Sequence, residues 1–284
     1  MNSLNKPTDK AEDVYCECIS NLKDDSLKEK LINIKDIIKN DSLEYEKLIK
    51  YGLLFKLKEK KQIGELTKDN LVKIYDQKMV RKGQPGRKFY DKLLSVPQYG
   101  ICPYCGVQIV STLDHFLPKT KFISLVVTPS NLIPVCFECN KNKTDKKFSS
   151  KEDIFINPYF DDLGNDIWLK ASINHNEFTM TYSVIKPNKW DDVLFKRVSN
   201  HFETLQLNKL YSIHAAQRLV NVKKRMINIY LKRGEKEMML DLNENLNTYE
   251  DDKNNWEAAM YRELIEDDWI RKKWIKRQVI KKID

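Results

Sequence analysis

The chain has 284 residues, 41% of them hydrophobic and 32% charged, with 50 Lys and Arg against 41 Asp and Glu for a formal net charge of +9. That length and apolar content supply the core of one large domain or two small ones, and the lack of a long apolar run excludes a membrane-spanning helix. The positive balance permits a polyanionic partner without requiring one. Residues 1–7 carry no apolar stretch of the kind a secretory signal needs, and four of the six cysteines stand in metal-binding spacing, so a cytoplasmic protein with reduced thiols is expected.

In chain order, residues 9–82 carry apolar positions at helical intervals, with Leu71, Ile74, Tyr75 and Met79 as examples, and turns are expected near Asp24-Asp25, Asp41-Ser42 and Gly64. Gly83-Gln84-Pro85-Gly86 reads as a loop and residues 87–94 as a short helix. Alternation through residues 107–113 predicts a strand feeding Asp114 and His115, and the apolar run 132–135 predicts a second. From Cys139 the chain is Lys-rich without Pro or Gly as far as Lys151, which suits a short helix. Residues 168–173 and 177–185 predict a β-hairpin around Asn174-His175-Asn176. Leu194, Val198 and Phe202 mark one helical face, and Leu219, Val222, Met226 and Tyr230 another. The end of the chain turns from acidic, residues 250–268, to basic, residues 271–282, with Trp256, Trp269 and Trp274 interspersed. This reads as an amphipathic helix with a solvated face, or as a docking element that exposes its tryptophans.

Cys102-Pro-Tyr-Cys105 and Cys136-Phe-Glu-Cys139 are two knuckles, each placing two thiolates on one side of a tight turn, so that together they close a tetrahedron around one structural Zn²⁺. Cys16 and Cys18 lack such a partner pair and read as ordinary thiols, and His175, His201 and His214 read as surface or core residues. A zinc ribbon alone does not account for what lies between the knuckles. His115 has an unperturbed pKa near 6.5, which lets a neutral imidazole accept a proton at physiological pH. Asp114 and Asn140 offer hard oxygen ligands suited to Mg²⁺ or Mn²⁺, and Lys143 can hold a phosphate as a point charge. In the plainer alternative these are strand-end and turn residues of a non-catalytic zinc-ribbon module that binds nucleic acid or protein.

Residues 98–148 resemble the HNH endonucleases, whose ββα-metal fold often carries a four-cysteine zinc beside a separate catalytic cation. Asp114-His115 matches the family's Asp-His at the end of the first strand, Asn131 its central Asn, Asn140 its final His or Asn, and Lys143 the basic residue beyond. The resemblance implies a metal-dependent nuclease in which His115 is the general base, Asp114 and Asn140 hold Mg²⁺ or Mn²⁺, and Asn131 braces the loop that carries His115. Lys119, Lys121, Lys141, Lys146 and Lys147 are then the expected nucleic-acid contacts, with DNA ahead of RNA as substrate.

The expected fold is α+β and predominantly helical: a helical region over 1–96, an ββα-metal HNH core with its zinc-knuckle pair over 97–160, and a hairpin with further helices over 161–284. The order of a helical front, Cys-Pro-Tyr-Cys-Gly, Leu-Asp-His-Phe-Leu-Pro-Lys, Cys-Asn-x-x-Lys and Asn-Pro-Tyr-Phe-Asp is similar to the HNH subunits of bacterial antiphage systems of the Septu type. That likeness implies an ATPase partner of the SMC or ABC kind. A stand-alone restriction-like or homing-type nuclease is the alternative within the same chemistry.

Overall fold

The computed structural model describes residues 1–145 and 148–283. It divides into two compact units, Met1–Asp162 and Leu163–Asp284. The first opens with helices α1 (Ala11–Ile19), α2 (Asp25–Ile32) and α3 (Lys35–Lys50). Asp24 caps α2 by accepting a hydrogen bond from the Leu27 amide, so the turn expected there is a helix start. The turn expected at Asp41-Ser42 is absent, because α3 runs straight through it. Ile38, Ser42, Tyr45 and Ile49 form one buried stripe at helical spacing, and tertiary burial overrides the turn preference of the polar pair. Asp41 instead forms an ion pair with Lys60.

A minimal hairpin, β1 (Gln62–Ile63) and β2 (Leu66–Thr67), turns at Gly64, whose φ of 57° suits a residue without a Cβ. Thr67 and Asn70 cap α4 (Lys68–Lys73) reciprocally. The helix then widens into a π-helical turn over Ile74–Met79, and α5 (Arg87–Leu94) follows the glycine loop.

The zinc-knuckle segment leads to β3 (Thr112–His115), which pairs antiparallel with β4 (Leu132–Val135), Asp114 opposite Ile133 and His115 opposite Leu132. The first strand is shorter than its alternation predicts. Gly106, at φ 67°, reverses the chain, and Ile109 makes only an isolated bridge to Ile101 with its side chain 73% exposed, so residues 107–111 wrap the knuckle rather than extend the sheet. Helix α6 (Phe137–Lys143) completes the ββα unit. It stops at Thr144, which takes a φ of 59° outside the helical region, well before Lys151. One hydrophobic core gathers Val14, Tyr15, Ile38 and Met79 from the helices with Leu113, Ile123 and Leu132 from the ββα segment. The first 96 residues and the module after them thus share one interior.

The second unit contains the hairpin β5 (Leu169–Asn174) and β6 (Thr179–Val184), then α7 (Asp192–Thr204), α8 (Leu207–Asn247), α9 (Trp256–Glu266) and α10 (Ile275–Ile283). The hairpin packs on α8 and α9. Gly234, at φ 84°, breaks α8 into two arms. Arg225 forms an ion pair with Asp241, 16 positions on, which a straight helix would hold about 24 Å apart at 1.5 Å per residue, so the arms fold back on each other. The tryptophans are packed instead of displayed. Trp269 stacks on His175 with ring centroids 4.3 Å apart, and Trp274 lies 4.2 Å from Phe178 and is 6% exposed, because the aromatic tip of the hairpin offers them a surface. No helix among the described residues is long and apolar enough to cross a membrane.

Gly86 shows how closely the first unit is packed. A Cβ there would fall inside the van der Waals shell of the Cys18 sulfur and 2.7 Å from the Lys78 carbonyl oxygen. Gly86→Ala is expected to destabilise the protein by about 1–3 kcal/mol through overpacking, and Cys18→Ala in the same chain should restore part of the loss in chemical denaturation.

Candidate functional site

The four knuckle cysteines are buried and free of disulfides, and their sulfurs all lie within 4.8 Å of one another. Zn–S bonds of 2.3 Å in a tetrahedron require sulfurs about 3.8 Å apart, so the cluster has the size and donor set of a closed zinc site. The Gln108 amide donates to the Cys105 sulfur and the Cys139 amide to the Cys136 sulfur, each at 3.4 Å, which favours thiolates. Hydrogen bonds from Cys102 first, and from Cys139, hold Cys105 and Cys136 below the ordinary thiol range. Cys136 is also the N-cap of α6, so the cluster fixes where that helix begins.

At the other end of α6, Lys143 reaches back to β3. The residue is 6% exposed, and its ammonium lies 3.1 Å from Oδ2 and 3.2 Å from Oδ1 of Asp114 and donates to the His115 carbonyl at 3.0 Å. Tyr104 donates its hydroxyl to Asp114 Oδ2 at 3.1 Å. Asp114 is itself 5% exposed, so its charge is removed from water and answered by one cation and one hydroxyl. A carboxylate has about four lone-pair sites, and these contacts leave one on Oδ1. Asn140 sits three residues before Lys143, on the same side of α6, half-buried, and its carboxamide makes no hydrogen bond among the described residues. Asp114 and Asn140 therefore each keep an oxygen available, a hard donor set that fits Mg²⁺ or Mn²⁺.

His115 is half-buried, and two neighbours fix its ring. Nε2 lies 2.8 Å from the Val126 carbonyl oxygen, and the Tyr75 ring stands edge-on at 4.4 Å and 73°. A carbonyl only accepts, so Nε2 carries the hydrogen. Burial pushes the imidazole pKa down to about 3, which keeps the ring neutral and leaves the lone pair on Nδ1. The Val126 carbonyl is held in turn by its surroundings. Asn131, fully buried, accepts from the Leu117 amide at 2.8 Å and donates to the carbonyls of Leu117 and Leu125 at 3.2 and 3.3 Å, clamping the loop between the strands.

Of the remaining lysines, Lys119 pairs with Asp76 at 2.6 Å and lies over Tyr75 at 5.0 Å, Lys121 donates to the Asp145 carbonyl at 3.2 Å, and Lys141 is exposed. Lys146 and Lys147 lie outside the described residues. Sequence reading did not find Tyr75, Tyr104 or Val126 as parts of this site. Tyr75 had stood out only as a helical apolar position, and neither the others' spacing nor their type signals a role.

Residues 102–146 match the family model described as HNH endonuclease. This segment is an HNH endonuclease domain. Two curated proteins are similar to parts of the chain. Protein ea31 of Escherichia phage lambda is 30% identical over 165 residues, 56% of this chain and 55% of that protein. Septu protein PtuB of Bacillus thuringiensis is 37% identical over 71 residues, 23% of this chain and 27% of that protein. The chain spans about half the length of the first relative and about a quarter of the second. No solved structure matches significantly.

The cysteine cluster of the HNH domain makes a direct prediction. Elemental analysis of protein purified without added metal should find about one zinc per chain, as one closed four-ligand site requires. Cys136→Ser should lose the zinc and, with it, the N-terminal anchor of α6.

Proposed function

We propose that the chain is a metal-dependent endonuclease that hydrolyses phosphodiester bonds, DNA ahead of RNA, with His115 as general base. The observation that carries this reading is the hydrogen bond from Nε2 of His115 to the Val126 carbonyl, which leaves Nδ1 of a neutral imidazole as an acceptor. Water hydrogen-bonded to Nδ1 gives up a proton to the ring as its oxygen bonds to phosphorus, the opposite P–O ester bond breaks, the departing oxygen takes a proton from solvent, and the imidazolium returns its own proton to solvent. The Val126 carbonyl supports the charged ring without changing its orientation, since Nε2 donates in both protonation states. Asp114 and Asn140 would hold the catalytic Mg²⁺ or Mn²⁺, which when bound neutralises charge on the phosphoryl oxygens. Lys143 positions the Asp114 carboxylate instead of touching phosphate, because its ammonium is occupied by Asp114 and the His115 carbonyl. Exposed Lys141 is then the nearer candidate for a phosphate contact.

Likeness to a Septu protein supports a narrower reading, in which the chain is the effector nuclease of a bacterial antiphage complex with an SMC- or ABC-type ATPase. The test is cleavage of plasmid, single-stranded DNA and tRNA with Mg²⁺ or Mn²⁺, by the chain alone and with such an ATPase. His115→Ala should bind nucleic acid as the parent does and cut at least about a hundredfold more slowly, the lower end for a general base. Equal cutting by the variant would refute the assignment. Tyr75→Ala, which frees one side of the imidazole, should lower kcat by about tenfold with KM little changed, whereas Tyr75→Phe keeps the ring and should stay close to the parent.

The buried ion pair predicts stability as well as activity. Lys143→Met leaves the Asp114 carboxylate buried without its cation, and the loss should be about 3–5 kcal/mol in chemical denaturation. The double variant Lys143→Met, Asp114→Asn should recover part of it.

A further inference from the structure

The first arm of α8, residues 207–233, carries seven Lys and Arg and no Asp or Glu. Its inward face is ordinary: Leu207, Tyr211, Ala215, Leu219, Val222 and Met226 are all buried at helical spacing. The opposite face is not. Ile213 is 52% exposed, Val220 49% and Leu231 41%, and half-buried Ile227 lies on the same line. Residues 213, 220 and 227 are separated by two heptads, Leu231 follows one turn later, and the whole stripe runs about 27 Å along the helix at 1.5 Å per residue. A solvent-facing helix surface is expected to be polar, and among the described residues this row stays open to solvent.

We propose that this stripe is a docking surface for an acidic amphipathic helix of a partner protein. β-Branched residues repeating every seven positions present the seam into which another helix's side chains pack. The charges choose the partner. Lys209 and Lys224 stand on the stripe itself, Lys223 and Lys232 flank it, and the carboxylates that answer Arg218 and Arg225 come from Glu257 and Asp241, elsewhere in the unit. A helix lying along this arm meets its lysines and no carboxylate of the arm itself, so glutamates at its edges would be paired and lysines repelled. Self-association through the same face would set Lys224 of one copy against the basic edge of the other. Nucleic acid would use the lysines but leave the aliphatic row without a partner, and the row has no aromatic side chain of the kind that seats a helix in a membrane interface. The stripe lies in the second compact unit, and its test does not read nuclease activity, so it stands or falls apart from the catalytic assignment.

The probe is a fluorescein-labelled synthetic helix of four heptads with Leu at a and d and Glu at e and g, titrated with the full chain and followed by anisotropy. Saturable binding is expected, weakened by salt, absent for the same peptide with Lys at e and g, and reduced at least about tenfold by Ile213→Glu with Val220→Glu, since like charges would then face the peptide. Both substitutions lie on the outward face, and an unchanged far-UV spectrum confirms that the helix is intact. The proposal is overturned if the acidic peptide does not bind or if the double variant binds it equally well. It is also overturned if the variant instead abolishes self-association in light scattering, or binding to duplex DNA or to vesicles of anionic phospholipid.

Discussion

The ion pair between Lys143 and Asp114 is the constraint on which the site depends. It joins the end of α6 to the end of β3 in a place almost closed to water, where either charge alone would be costly. The cysteine cluster fastens the same helix at its other end through the Cys136 cap. With both ends fixed, α6 has no freedom to slide along the strands, and Asn140 between them inherits its position. The Lys143 ammonium also grips the His115 carbonyl, so backbone and carboxylate are set by one group.

A second chain of dependence runs through the loop between the strands. Asn131 makes three hydrogen bonds to two residues of that loop, each worth about 1 kcal/mol net but far more costly if broken in a buried place. Leu125, at the far end of the clamp, directly precedes Val126, whose carbonyl decides which imidazole nitrogen of His115 bears the hydrogen. A carboxamide that bonds only to the backbone of Leu117 and Leu125 thereby bears on the tautomer of the imidazole.

Sequence reading captured what is local. The cysteine cluster is visible because each knuckle brings two ligands together within four residues, and β4 and α5 are visible because an unbroken apolar run and a glycine loop mark their bounds. It missed what depends on distant packing. Asp41-Ser42 has the composition of a turn, yet the stripe from Ile38 to Ile49 holds α3 intact. Tryptophans in a charged segment look exposed until His175 and Phe178, from a hairpin about ninety residues earlier, are found against them. Tyr75 meets His115 across forty positions of chain, and the π-helical turn that presents it leaves no mark in the order of apolar residues.

That turn bears on where the unit that holds His115 begins. The family match starts at Cys102, but the aromatic wall of the His115 ring comes from residue 75, and the lysine over that wall is held by Asp76. A fragment cut at the edges of the match would keep every motif residue and lose the surface that turns the imidazole. Transplanting the motif into another scaffold would therefore carry over its ligands without its geometry, and the smallest portable unit of this site reaches back at least to α4.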